Sequence, residues 1–361
     1  MKSADGIGRL WAGIDYREEC PRVCYQTEQM KEPQELPLDF GKQSGRTACL
    51  RKILSALKRY GKKEEIRVAL VLPDMSENGI LQSMKEAYDA GFQEGQLQVM
   101  GEVESVVHFV LHQTNDIWQQ QVWLLEFGTE EIRATGISVN KRSTPMVVEA
   151  QEPESWYVGT LLEGNRDERL FEHIKKRFGK NSNHVSAVFL TGTDLNARDY
   201  KKSREEICSK RRVFLGDLIH ARGACMLAGD CAERRPYLFL SEQMLLFNVG
   251  IRIGKEEKEE LYTLIRAGCN WYEAEGSCEM LLISEPLLEF SFQSMLGGDP
   301  ICAGMHLTDL PDRPEKTSRL LVEICFSSPT QCEIKVTDLG FGELYPSSEL
   351  SWKESFVLES V

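Results

Sequence analysis

The sequence lacks the features that would send a chain into or across a membrane. Its first residues, Met1 to Gly6, contain no apolar stretch, whereas a secretory signal requires one. A helix that spans a bilayer needs about 18 consecutive apolar residues, and no run in the chain is that long. We therefore expect a cytoplasmic protein.

An excess of positive charge is also absent. The 361 residues include 43 Lys and Arg against 56 Asp and Glu, which gives a formal net charge of -13. Sequence-independent binding to nucleic acid needs a cationic face, and anionic lipid attracts basic segments. We therefore expect neither nucleic acid nor membrane as partner.

Recognisable catalytic and metal-binding motifs are missing as well. The eleven cysteines include no CxxC pair, so a zinc site is not expected. No G-x-S-x-G nucleophile motif occurs. The histidines show no acid–base or metal-ligand pattern; they are His108, His112, His173, His184, His220 and His306. No catalytic residue is assigned.

The pattern of apolar residues predicts an α/β part followed by an all-β part. Helical and strand periodicities alternate up to about residue 233, after which short strands follow one another between turns. Residues 140–154 are polar and contain two prolines, which predicts a linker. The predicted domains are a first lobe (1–140), a second lobe (141–233) and a β-sandwich (234–361).

A hairpin centred on Gly128 is the main candidate for a functional site. An apolar strand runs from Val122 to Glu126, and a second strand follows the turn. A glycine turn can bring backbone N–H groups close to a phosphate, and a carboxylate before it can hold Mg²⁺. Asp15 ends an earlier apolar strand in the same way. The plainer interpretation is an ordinary hairpin, with Asp15 and Glu126 facing solvent or Arg17.

Several segments, in their order along the chain, resemble the motifs of a known family. Gly13 to Glu18 is similar to a first phosphate loop, GIDLGTT, and Glu126 to Glu131 to a second, DLGGGT. Phe189 to Asp194 is similar to an adenosine-side strand, VLVGGS, and Gly304 to Pro311 to FELTGIPP of a β-rich domain. The chain thus resembles the actin-like ATPase superfamily, in particular a shortened, degenerate seventy-kilodalton heat-shock chaperone.

This resemblance implies a two-lobed α/β actin-like (ribonuclease H-like) core followed by an all-β sandwich that binds extended peptides. It implies a nucleotide site, with Asp15 and Glu126 holding Mg²⁺. The nucleotide-binding residues implied are Asp15, Tyr16, Arg17, Glu126, Gly128, Thr129, Gly192 and Thr193. Trp271 and Tyr272 would line the peptide groove, unless they are ordinary core aromatics.

Acidic residues stand where this family has glycine or hydroxyl residues in its phosphate loops. Glu18 and Glu19 follow the first strand, and Glu130 and Glu131 follow the hairpin turn. Each like-charge pair beside a polyphosphate costs on the order of a few kcal/mol. These residues disfavour Mg-ATP as a cofactor, and hydrolysis even more, because phosphoryl transfer relies on positioned backbone donors and metal.

Three functions remain open from the sequence. The first is a non-hydrolysing pseudo-ATPase that binds a protein or peptide as a chaperone does. The second is a working ATP- or ADP-binding switch. The third is a scaffold subunit of a larger assembly, in which both parts serve only as interaction surfaces.

Overall fold

Two sheets with the same strand order form the core of the first part of the chain. The computed structural model describes residues 8–18, 20–41, 45–160, 164–178, 184–192, 195, 200–209, 211–230, 237–255, 258–283 and 285–358. The chain divides into two compact units, Met1–Leu240 and Ser241–Val361.

The first sheet has the order β3-β2-β1-β4-β5, with β1 parallel to β4 and antiparallel to β2. Its strands are β1 (Leu10–Asp15), β2 (Arg22–Thr27), β3 (Gln34–Glu35), β4 (Ile66–Val71) and β5 (Leu97–Met100). The second sheet contains β6 (Gln121–Phe127), β7 (Glu131–Asn140), β8 (Met146–Ala150), β9 (Glu154–Tyr157), β10 (Val185–Thr191), β11 (Arg212–Leu215) and β12 (Tyr237–Phe239).

The second sheet repeats the topology of the first. Its order is β11-β10-β6-β7-β8-β12, with β9 also paired to β7. β6 is antiparallel to β7 and parallel to β10, as β1 is to β2 and β4. The expected α/β core is confirmed.

Six α-helices and a 3₁₀ turn at Lys63–Glu65 accompany these sheets in the described residues of the first unit. The α-helices are α1 (Arg46–Leu57), α2 (Glu77–Ala90), α3 (Glu102–Leu111), α4 (Arg166–Phe178), α5 (Lys201–Cys208) and α6 (Ile219–Gly229). Local signals fix their ends. The Ser76 hydroxyl accepts a hydrogen bond from the Gly79 N–H at the start of α2, and Gly91 ends the helix at φ +105°.

Helix α6 packs between the two sheets because it carries small residues. A Cβ on Gly13 of β1 would lie 2.0 Å from the Ala221 carbonyl oxygen. A Cβ on Gly223 of α6 would lie 1.8 Å from the carbonyl oxygen of Ser105 in α3. α6 therefore contacts β1 of the first sheet on one side and α3 on the other.

The segment expected to be a linker is partly a strand. Residues 146–150 form β8, which pairs with β7. Pro145 and Pro153 stand just before β8 and β9 and leave both ladders intact. The hairpin β6–β7, which lies within residues 1–140, belongs to the second sheet, whose first strand starts at Gln121.

The second unit has only strands as regular elements in its described residues, apart from a 3₁₀ turn at Trp271–Glu273. The strands are β13 (Phe247–Lys255), β14 (Lys258–Ile265), β15 (Gly276–Leu282), β16 (Leu287–Ser294), β17 (Ile301–His306), β18 (Ser318–Ser328), β19 (Gln331–Asp338) and β20 (Ser351–Val357). They form two sheets, β14-β13-β16-β17 and β15-β18-β19-β20.

The Phe290 and Phe292 rings of β16 contact the Phe356 ring of β20, so the two sheets touch through aromatic side chains. β12, which the sequence analysis placed in this part, pairs with β8 of the first unit. The description of the second unit as a peptide-binding sandwich stays a prediction. In the described part of the chain, no helix combines the length and apolar character needed to cross a bilayer.

Candidate functional site

Arg17 lies at the carboxyl end of β1 and folds back onto Asp15. Its Nε is 3.0 Å from Asp15 Oδ1, and its Nη2 is 3.0 Å from Asp15 Oδ2. Two such bonds between a guanidinium and a carboxylate fix the orientation of the guanidinium and also stabilise its charge. Because β1 ends at Asp15, this pair stands at the carboxyl edge of the first sheet.

The third nitrogen of the same guanidinium reaches the second sheet. Arg17 Nη1 is 3.3 Å from Glu126 Oε1 at the end of β6, and 3.4 Å from Glu102 Oε2 at the start of α3. These three carboxylates and Arg17 keep only 14–20% of their side-chain surface exposed. Arg17 therefore links the ends of the two sheets through one partly buried cation.

Glu126 has a second partner in His220 of α6. Its Oε1 is 2.9 Å from His220 Nε2, and His220 Nδ1 is 2.8 Å from the Ser105 hydroxyl oxygen. The Ser105 hydroxyl donates to the Glu102 carbonyl oxygen at 2.5 Å. Glu126, His220 and Ser105 thus form a chain of hydrogen-bond contacts that ends at the start of α3.

Charge in this cluster stabilises the ionised form of Glu126. Burial alone would raise its pKa, but the hydrogen bond from His220 and the charges of His220 and Arg17 outweigh it and lower the pKa to about 2. Burial also opposes the charge on Arg17, yet its contacts with Asp15, Glu126 and Glu102 raise its pKa above the usual value.

Asp15 and Glu126, the two carboxylates expected to hold Mg²⁺, lie close together, and both bind the Arg17 guanidinium. Both Asp15 and Glu126 contact the guanidinium, the arrangement that the plainer interpretation of the sequence includes. Within the described residues, no group of three or more His, Cys, Asp and Glu side chains is placed to hold a metal ion. As arranged, these residues fit an internal salt bridge better than a magnesium nucleotide.

The backbone N–H and C=O groups of Gly128, in the turn after β6, both form hydrogen bonds within the protein. The Gly128 N–H donates to the Glu131 carbonyl oxygen at 2.9 Å, and the Gly128 carbonyl oxygen accepts from Arg166 Nη2 at 2.9 Å. Thr129 and Glu130 are exposed in the turn. The backbone donor proposed for phosphate contact is thus already used.

Two other predicted nucleotide residues have structural roles. Tyr16 is buried, and its hydroxyl donates to the Arg46 carbonyl oxygen at 3.0 Å. Gly192 has φ +117°, and a Cβ there would lie 2.3 Å from the Phe127 carbonyl oxygen. Gly192 therefore allows the chain after β10 to pass close to the end of β6. Thr193 lies outside the described residues.

The predicted peptide-binding aromatics, Trp271 and Tyr272, contact each other in the 3₁₀ turn of the second unit. Trp271 is only 2% exposed, and its Nε1 donates to Gln243 Oε1 at 2.8 Å. The Tyr272 ring meets it edge-on at 5.5 Å between ring centroids, and the Tyr272 hydroxyl accepts from Asn270 Nδ2. Trp271 is a core residue, because its side chain is buried and its polar atom is satisfied.

Sequence reasoning missed Glu102, Ser105 and His220. Glu102 directly follows the turn after β5, and the carboxyl ends of parallel strands in one sheet collect at one edge. That rule places it near Asp15, so its position was available from the strand pattern. His220 shows no such signal, because it is brought to Glu126 only by the close packing of α6.

Two family models cover most of the chain. The family of unknown function (DUF5716), C-terminal, matches residues 47–242. The domain of unknown function (DUF8552) matches residues 244–358. A search of curated proteins found no match.

Solved structures resemble about three fifths of the chain. The ethanolamine utilization protein EutJ of Carboxydothermus hydrogenoformans is 10% identical, with TM-score 0.40, over 61% of this chain and 90% of that one. A ROK hexokinase of Thermus thermophilus is 11% identical, with TM-score 0.37, over 61% and 98%. A Bacteroides thetaiotaomicron protein with an actin-like ATPase fold is 10% identical, with TM-score 0.35, over 64% and 100%. Similarities this distant establish nothing about ligand or activity.

Proposed function

Because the chain belongs to the DUF5716 C-terminal family, whose function is unknown, we propose its function from its own residues: a non-hydrolysing, actin-like protein that acts by binding a protein or peptide. In this proposal Arg17 joins the two sheets of the core. The second unit supplies the binding surface, as the chaperone resemblance implies.

The contact of Arg17 with Asp15 and Glu126 is the observation that carries the proposal. The distances of 3.0 and 3.3 Å make the guanidinium the common partner of both carboxylates. A metal-bound nucleotide that used these carboxylates would have to displace a partly buried cation. It would have to break the contacts of the Arg17 guanidinium with both carboxylates before it could use them.

The hairpin turn supports the same conclusion. Its Gly128 N–H is bonded to Glu131, and exposed Glu130 and Glu131 add negative charge beside it. Phosphoryl transfer depends on preorganised donors and on metal. Hydrolysis would therefore need both the ion pairs and the turn to rearrange.

Calorimetric titration with Mg-ATP and Mg-ADP tests the proposal directly. For the natural chain we expect no binding heat up to millimolar nucleotide. Two variants make the result specific. Arg17→Ala removes the cation that the carboxylates share. Arg133→Ala removes a 47% exposed cation that contacts Glu102 but neither Asp15 nor Glu126 among the described contacts.

Micromolar affinity in the natural chain, lost in Glu126→Ala, would overturn the proposal in favour of the nucleotide switch. Binding that appears in Arg17→Ala and not in Arg133→Ala would support it, because it would identify Arg17 as the group that closes the site. A chain that binds no nucleotide and only assembles into a stable complex through both units would favour the scaffold alternative.

A further inference from the structure

Helices α4 and α5 carry a local excess of positive charge. Residues 166–212, which include both helices, contain 13 Lys and Arg against 7 Asp and Glu, whereas the whole chain has a formal net charge of -13. The two helices pack against each other, so their charges share one part of the surface. Because interfaces place surfaces of opposite charge against each other, this region fits an acidic partner.

Two lysine ammonium groups from different helices lie over one aromatic ring. The Nζ of Lys175 in α4 is 5.4 Å from the centroid of the Phe171 ring, and the Nζ of Lys202 in α5 is 4.7 Å from the same centroid. Both lysines are exposed, whereas Phe171 is partly buried. Each ammonium is attracted to the ring, which holds the two like charges close together although they repel each other.

The carboxylates of these helices compensate the two lysines only in part. Within the described residues, Lys175 forms no ion pair. Glu168 lies 3.9 Å from Lys202, but the two side chains are 73% and 53% exposed, so water weakens this contact. The Asp167 carboxylate accepts from the backbone N–H groups of Lys202 and Ser203, at 2.8 Å each, and caps α5. Both ammonium groups therefore keep the capacity to bind an anion.

The start of α5 adds to the positive potential. Lys201 and Lys202 are the first two residues of the helix, and its first turn contains no acidic residue. The N-terminus of a helix carries a partial positive charge, which disfavours cations and favours anions there. A carboxylate beside these lysines would be attracted by the helix end and by the ammonium groups together.

We propose that Phe171, Lys175, Lys201 and Lys202, together called the lysine surface, bind an acidic segment of a partner protein. Its carboxylates bind the ammonium groups, and its side-chain methylenes contact the Phe171 ring. A nucleic acid fits less well, because it would extend onto the acidic remainder of the chain and be repelled there. This inference goes beyond the proposed function, since it adds a binding surface in the first unit and specifies the charge of its partner.

An acidic decapeptide tests the lysine surface with the full-length chain. The probe is rhodamine-labelled Gly-(Glu-Asp)₄-Gly, measured by fluorescence anisotropy in 50 mM NaCl. The neutral peptide Gly-(Gln-Asn)₄-Gly has the same length and nearly the same side-chain shapes. We expect the neutral peptide to bind at least tenfold more weakly, and 0.3 M NaCl to weaken the acidic peptide at least fivefold, because salt screens the attraction.

Equal binding of the two peptides would overturn the proposal, because the charges would then contribute nothing. So would failure of the acidic peptide to bind at 1 mM.

Two double variants with the same change in charge locate the site. Lys175→Gln with Lys202→Gln should weaken binding of the acidic peptide at least tenfold. Lys58→Gln with Lys62→Gln, at exposed positions after α1, should leave it within twofold. Circular dichroism confirms that both proteins are folded. Equal effects of the two double variants would overturn the proposal, because the peptide would then respond only to the overall charge.

Two further measurements distinguish other occupants. An oligonucleotide of nine thymidines that binds at least tenfold more tightly than the peptide, and is lost in the Lys175 and Lys202 variant, would overturn the proposal in favour of nucleic acid. Analytical ultracentrifugation of the chain alone should show no self-association that depends on these lysines. Self-association that this double variant abolishes would assign the lysine surface to a second copy of the chain.

The outcome is separate from that of the proposed function. Nucleotide binding that is lost in Glu126→Ala would defeat the proposed pseudo-ATPase, yet it would leave the peptide selectivity and the effect of Lys175 and Lys202 as they are. Conversely, loss of the peptide result would leave the Arg17 experiment intact.

Discussion

Glu126 and His220 are joined by a hydrogen bond of 2.9 Å between Oε1 and Nε2. The two residues are 94 positions apart in the chain, so the bond ties the end of β6 to the first turn of α6. Glu126 also contacts Arg17 at the end of β1. One carboxylate thus connects the second sheet to both the first sheet and the helix between them.

Removing Arg17 should destabilise the first unit strongly. Arg17→Ala leaves Asp15, Glu102 and Glu126 without their shared cation in a partly buried place. We expect a loss of about 3–5 kcal/mol in the free energy of unfolding, the usual cost of removing one partner from a buried ion pair. Urea unfolding followed by circular dichroism measures it.

Arg133→Ala is the matched control for this experiment. Arg133 contacts Glu102 but is 47% exposed, and an exposed ion pair contributes about 0–1 kcal/mol. Equal losses in the two variants would show that Arg17 has no special role in joining the sheets.

The low pKa of Glu126 should make the core sensitive to acid. Its folded value of about 2 lies below the ordinary 4.5, so ionised Glu126 stabilises the fold at pH above 4.5. That contribution, about 3 kcal/mol by linkage, is lost as the pH falls from 4.5 to 2. Glu126→Gln should flatten the dependence of stability on pH in this range.

Urea unfolding at a series of pH values between 2 and 7 gives the comparison. Glu130→Gln, in the adjacent exposed turn, serves as control and should keep the natural acid dependence. An unchanged acid limb in Glu126→Gln would contradict the role given to its ion pairs.

The packing of α6 predicts effects of very different size for the same substitution at two positions of the helix. Gly223→Ala puts a methyl group 1.8 Å from the Ser105 carbonyl oxygen, which is backbone and cannot move aside cheaply. We expect destabilisation of at least about 2 kcal/mol, as for overpacked cores. For Gly229→Ala the nearest neighbour of the added methyl group is the Trp11 ring at 3.4 Å, so stability should change by less than about 1 kcal/mol.

Thermal unfolding of both variants is the measurement. A Gly223→Ala protein as stable as the natural one would mean that α3 and α6 do not approach each other as closely as described.

Asp338 should be the most sensitive carboxylate of the second unit. Its side chain is fully buried against Arg313, with bonds of 2.9 and 2.8 Å, and it accepts further bonds from Gly340 and Ser348. Burial would raise its pKa, but these partners lower it below the usual value. Asp338→Asn should cost about 3–5 kcal/mol and expose the loop at 340–350 to protease.

Lys335→Ala provides the comparison, because Lys335 pairs with Glu323 while both are about half exposed. It should cost less than about 1 kcal/mol and leave protease resistance unchanged. The same digestion pattern in both variants would contradict the anchoring role of Asp338.

Elements with local signals were predictable from the sequence. The start of α2 at Ser76 and its end at Gly91 follow from the capping preferences of serine and glycine. The aliphatic run that starts at Ile66 predicts a buried strand, and it forms β4. Such features depend on neighbours in the chain, so periodicity and capping identify them.

Features that depend on distant contacts were not predictable in the same way. The linker expected at residues 140–154 includes β8, a short strand with a proline on either side, because its pairing with β7 is a tertiary contact that local composition does not show. His220 has no local motif, and only the glycine contacts of α6 bring it to Glu126. Trp271 was expected either to line a groove or to be an ordinary core aromatic, and tertiary packing places it in the core.

The position of α6 has a consequence for co-translational folding and for the choice of recombinant fragments. Ala224, Leu227 and Ala228 of α6 cover Ala69 and Val71 of β4, although about 150 residues separate them along the chain. During translation, the first sheet is therefore complete long before its covering helix emerges, and that face stays bare to water or to other nascent chains. A recombinant fragment should extend through β12 at Phe239, since one that stops at residue 140 would carry the bare face permanently and aggregate.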